Sequence, residues 1–83
     1  MSALPDSESS LRHFRLSAAA EPGLLPRVLE LLAKRGLVPE RLRAERRGDA
    51  LLVELAAELP EEVAPLVAAS LGCIVGVTLL AVE

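Results

Sequence analysis

The sequence predicts an α+β sandwich, a four-stranded antiparallel sheet with two helices on one face, in the order β-α-β-β-α-β. Three observations predict it. At 100° per residue, Leu24, Leu25, Val28, Leu29, Leu31 and Leu32 fill one arc of a helix, and Arg27, Glu30 and Lys34 fill the opposite arc. Stretches before and after this helix alternate apolar and polar residues with period two, the pattern of half-buried strands. The connections are short, and two interleaved right-handed β-α-β crossovers leave both helices on the same side of the sheet. The implied strand order is 4-1-3-2, the ferredoxin-like arrangement.

Each element has its own justification. Residues 11–18 place Phe14, Leu16 and Ala18 on one side and His13, Arg15 and Ser17 on the other, so His13 reads as a half-exposed strand residue. Glu21-Pro22-Gly23 turns the chain into the first helix, and Gly36 is the left-handed residue expected just past its last turn. Glu30 and Lys34 stand i,i+4 in the order that favours an ion pair. In the second strand Val38, Leu42 and Ala44 face one way, and Pro39, which cannot donate to a ladder, predicts a sheet edge. Arg47-Gly48-Asp49 is a hairpin turn into a third strand over residues 51–56. A second helix is expected over residues 60–71, begun by Pro60 and kinked by Pro65. Residues 74–82 close as a fourth strand. The third and fourth strands carry Leu, Ile and Val on both faces, so the face without helices is expected to be covered by another subunit.

Composition bounds the function. Eighty-three residues make one small domain, residues 11–83, behind a polar N-terminal tail, residues 1–10. A formal charge of −3 and a single aromatic residue, Phe14, disfavour nucleic-acid binding. The charge is nonetheless segregated: residues 27–47 carry seven bases against three acids, and residues 48–83 carry six acids and no base. With one cysteine and one histidine there is no metal-ligand spacing and no intramolecular disulfide. Cys73, between Leu71 and Ile74, reads as a buried inert thiol. The N-terminus lacks the basic and apolar regions of a signal peptide, which points to the cytoplasm. Residues 63–82 form an uncharged run with a Gly72-to-Gly76 small-residue spacing, as in a membrane helix. Pro65, Ser70 and Thr78 within it, and acids rather than bases at its flanks, favour a helix followed by a strand instead.

The turn before the first helix is the candidate site. Gly23 at the mouth of a helix leaves backbone N–H groups uncovered, as an anion or carboxylate requires. Taken alone, Pro22-Gly23 reads equally as a plain chain turn. The stretch Glu21-Pro22-Gly23-Leu24-Leu25-Pro26-Arg27-Val28 and its continuation to Arg35-Gly36 resembles the ACT domain. It is most similar to the short regulatory subunit of acetolactate synthase, which opens N-E-P-G-x-L-x-R-V before a helix ending in R-G. The resemblance implies a dimerising, non-catalytic module with no cofactor. Its partners would be a homodimer mate or larger assembly and the thiamine-diphosphate-dependent large subunit of branched-chain amino-acid synthesis, with no membrane and no nucleic acid. It also implies an amino-acid effector held by the backbone of Glu21, Pro22, Gly23, Leu24 and Leu25. The family's two ligand-holding asparagines correspond to Ala20 and Val38, which implies weak or absent valine feedback. The alternative is a free-standing effector-binding ACT protein acting on another partner. Enzyme readings of the same fold fail on residues: there is no arginine in the loop after the first strand, no Cys-x-x-Cys, and no catalytic triad or paired carboxylates.

Overall fold

The computed structural model describes residues 9–83. The elements are β1 (Ser9–Ala19), α1 (Leu24–Lys34), β2 (Arg41–Arg47), β3 (Ala50–Pro60), α2 (Ala64–Gly72) and β4 (Val77–Val82). Period-two alternation sends Phe14, Leu16 and Ala18 of β1, and Val53, Leu55, Ala57 and Leu59 of β3, into one layer. They meet Leu24, Val28 and Leu32 of α1 and Ala64, Val67 and Leu71 of α2, positions spaced three or four apart. The strands are ordered β2-β3-β1-β4 and every neighbouring pair is antiparallel, which is the expected ferredoxin-like sheet.

The α1 terminus follows the sequence reading closely. Leu37 N–H donates to Leu32 O at 2.9 Å and Gly36 N–H to Ala33 O at 3.0 Å, with Gly36 at φ 72°. That pair of bonds is a Schellman ending, and it satisfies carbonyls that a helix leaves open. The Gly48-Asp49 turn joins Arg47 and Ala50, which are directly paired, with Gly48 at φ 60°.

Elsewhere the structure corrects the sequence. β3 runs on to Pro60, because Ser9 and Ser10 of β1 pair opposite Pro60 and Leu59. Pro60 therefore ends a strand rather than opening a helix, and α2 begins only at Ala64. Pro65 falls in its first turn, where a missing N–H costs nothing, so no kink is required. Pro39 precedes β2 instead of lying within it. β4 begins at Val77, after a turn whose Val77 N–H donates to Ile74 O. The tail expected over residues 1–10 gives up Ser9 and Ser10 to β1, and its remainder lies outside the described residues. Cys73 is exposed: it follows the last residue of α2, two places past the buried Leu71, on the side turned away from the core. The ion pairs of the described residues are Arg15–Glu54 and Arg47–Glu45, and Glu30–Lys34 is not among them. Among the described residues no helix is long and apolar enough to cross a membrane, since the uncharged run divides between α2 and β4.

The helix-free face is mixed rather than apolar. β3 presents Leu52, Glu54, Ala56 and Glu58 there, flanked by Arg41, Arg43, Glu45 and Arg47 of β2 and by His13, Arg15 and Ser17 of β1. β4 adds Thr78 and Ala81, with a bulge at Leu80. Cross-strand neighbours form the row Arg43–Glu54–Arg15, so charge crosses the middle of the sheet.

Candidate functional site

The β1–α1 loop is held at its start by backbone bonds from three directions. Ala19 N–H donates to Gly76 O at 2.9 Å, Ala20 N–H to Asp49 O at 3.0 Å, and Glu21 N–H to Ala19 O at 2.8 Å. Leu24 N–H then donates back to Glu21 O at 3.1 Å, closing the turn. The loop thus sits where β1 ends, the β2–β3 hairpin turns and the α2–β4 connection passes.

Of the five residues expected to form the site, Glu21, Pro22 and Gly23 lie on the surface, Leu25 is half-buried, and Leu24 is a core residue. Glu21 N–H and Leu24 N–H are already engaged and Pro22 has none, so the backbone donors the loop offers a ligand are those of Gly23 and Leu25. Gly23 is the N-cap of α1 at φ −84°, ψ −8°, a conformation open to any residue, and an added Cβ would meet nothing within 4 Å. Space in front of it, not backbone freedom, is what glycine contributes here. No side chain caps the helix and no acid lies in its first turn. A carboxylate at this end would therefore meet the positive end of the helix dipole, with the exposed Glu21, two residues before the cap, as the acid beside it in the loop. The loop lines none of the three cavities described below. Ala20 is half-buried and Val38 is 80% exposed, so the two positions resembling ligand-holding asparagines present methyl groups.

Gly76 shapes the site from below. Its φ of 92° lies where side chains are disfavoured, and a Cβ there would stand 3.1 Å from Leu24 Cδ1. The α2–β4 turn thereby packs directly under the first residue of α1.

Two features escaped the sequence reading. A groove of about 500 Å³ between the helices is floored by Leu31 and Ile74 and rimmed by Arg27, Lys34 and Arg35, where Arg35 Nη2 donates to Ser70 Oγ at 3.3 Å. On the open sheet face, a cavity of about 300 Å³ is walled by His13, Arg15, Arg41, Arg43, Glu54 and Glu83. A neighbouring one, about 290 Å³, continues toward Arg47 and Leu52. The i,i+2 arginines of β2 were the available signal, but only the register shows what stands beside them. Groups of His, Cys, Asp and Glu that could hold a metal are absent among the described residues.

Comparison with known proteins places the chain. No curated protein matches it significantly. An uncharacterized protein from Thermotoga maritima superposes with a TM-score of 0.76 at 14% identity, covering 92% of this chain and 96% of that one. The ACT domain of GTP pyrophosphokinase from Chlorobium tepidum gives 0.75 at 13% identity, with 90% and 96% covered. A homoserine dehydrogenase from Thiobacillus denitrificans gives 0.74 at 18% identity, where 96% of this chain spans 18% of that one. These likenesses concern the fold. The family model for the ACT-like domain matches residues 6–83, and the chain belongs to that family.

Proposed function

We propose that the protein is a non-catalytic regulatory subunit that binds and activates the thiamine-diphosphate-dependent large subunit of acetolactate synthase in the cytoplasm. The observation that carries the reading is the segment from Glu21 to Gly36. It lies within a family match spanning residues 6–83, and its structure is a hydrogen-bonded turn, an amphipathic helix and a Schellman ending. Its likeness to the short regulatory subunit supports the choice of partner. The fold does not choose the enzyme, because the same fold is found in a homoserine dehydrogenase and in a GTP pyrophosphokinase. A free-standing effector-binding protein with another partner is the alternative. Affinity-tagged protein mixed with the large subunit of its own source organism should elute with it as one complex. Separate elution of the two would transfer the reading to the free-standing alternative.

The effector reading places a carboxylate at the backbone of residues 21–25, with weak or no valine response. Two amides absent at Ala20 and Val38 remove about 1–3 kcal/mol per contact, about tenfold to a hundredfold in affinity each. Millimolar valine should therefore leave the melting temperature unchanged, whereas the double variant Ala20→Asn/Val38→Asn should gain measurable heat on titration with valine. Tight binding by the natural sequence would show that the backbone alone suffices.

Assembly as a homodimer or larger is the companion proposal. Charge across the open face argues against a purely apolar seal there, while β2 is exposed along its whole length and forms a sheet edge with backbone groups to pair. Antiparallel pairing about Ala44 would set each Arg43 opposite a Glu45 of the second copy. Sedimentation equilibrium at micromolar concentration should return twice the monomer mass or more. A monomer at that concentration would refute this assembly.

A further inference from the structure

The open sheet face holds a pit that the effector loop does not explain. Its floor is Ala56, which points away from the helices yet is only 3% exposed and stands outside the main core cluster. A small side chain on an open face becomes buried when long neighbours rise around it. In register, Arg41 flanks Ala56 on β2 and His13 flanks it on β1, while the next row contributes Arg43, Glu54 and Arg15. His13 is fixed in turn against the far edge by paired backbone bonds of 2.8 Å with Glu83.

The lining of the pit sets three arginines, Arg15, Arg41 and Arg43, against two acids, Glu54 and Glu83. Glu54 stands 3.6 Å from Arg15, and Glu45 stands 3.4 Å from Arg47. Arg41 and Arg43 take part in neither pair. They are two residues apart on one strand, so their bases stand roughly 7 Å apart, and both line the cavity over Ala56. Guanidinium groups bind carboxylates and phosphates through two parallel N–H donations, and two of them facing one cavity repel each other until an anion enters. The volume of about 300 Å³ is at the lower end of small-molecule sites and too small for a macromolecular segment with its side chains.

We propose that the pit over Ala56 is a binding site for a small oxyanion, a carboxylate or a phosphate, gripped by Arg41 and Arg43. It is separate from the effector loop. Seven residue steps of β1 and its end, from His13 to Ala20, set the two roughly 23 Å apart along the strand. A ligand in the pit draws β2, β3 and β1 together through side chains alone, and so stiffens the edge strand at which the sheet ends.

Titration calorimetry at low ionic strength with inorganic phosphate and, separately, with succinate tests the site and distinguishes the two sources of anion. At least one should bind with one-to-one stoichiometry and shift the Ala56 methyl and His13 ring signals in NMR spectra. Arg41→Gln/Arg43→Gln should weaken that binding about tenfold or more. Arg27→Gln/Lys34→Gln, an equal loss of charge on the helix side, should leave it unchanged. Absence of binding by both anions, or equal weakening by the two double variants, would overturn the proposal, because the arginines would then be ordinary solvated edge charges.

Discussion

Replacing Phe14 by alanine should lower the melting temperature by on the order of 15–30 °C, the largest single-residue effect in the molecule. Phe14 is fully buried at the centre of β1, paired with Leu55 on one side and Val82 on the other. It is the largest fully buried side chain and the chain's single aromatic residue. Removing a buried phenylalanine ring costs about 3–5 kcal/mol, from lost transfer energy and from the cavity left behind. A domain of this size holds only about 4–12 kcal/mol in total, so much of the fold's margin goes with one ring. Phe14→Leu, which keeps most of the volume, should cost only about 1–1.5 kcal/mol. Circular dichroism melts of both variants check this. A loss of only a few degrees for alanine would mean that the layer between sheet and helices is not packed around this ring.

Gly76→Ala should be the next most damaging change, at about 1–2 kcal/mol from its positive φ alone, with the Leu24 contact added. The new methyl would stand 3.1 Å from Leu24 Cδ1, and Leu24 is the first residue of α1, already buried. Gly36→Ala is the matched comparison, since Gly36 also has a positive φ, of 72°, but faces open space. Urea denaturation should rank Gly76→Ala as the less stable of the two. Equal stabilities would show that the turn yields freely and that Leu24 is not wedged against it. If the loop serves a ligand, Gly76→Ala also disturbs it from beneath, through the residue that anchors its far end.

What the sequence disclosed was what short-range periodicity encodes. The helix of residues 24–34 was legible because its apolar residues recur three and four apart and Gly36 marks its end. Strand order followed from the connections, which allow few alternatives once the crossovers are right-handed. Failures came where long-range pairing decides. Pro60 looks like a helix start, but Ser9 and Ser10, some fifty residues earlier, extend the sheet to meet it. Cys73 sits among apolar letters, yet the helix has ended and its direction is set by the cap, not by its neighbours in sequence. The pit above Ala56 needs three strands in register, and no local window contains Arg41, Ala56 and His13 together. The loop of residues 21–25 was visible as a motif, but its chemistry rests on backbone groups whose exposure only the fold sets.

The most direct test of the regulatory reading is acetolactate formation by the cognate large subunit as this protein is added in increasing amounts. The protein alone should form no acetolactate, and the rate should rise to a plateau at a fixed ratio of subunits, unaffected by millimolar valine. A rate that stays flat across the titration, with no complex formed, would contradict that reading.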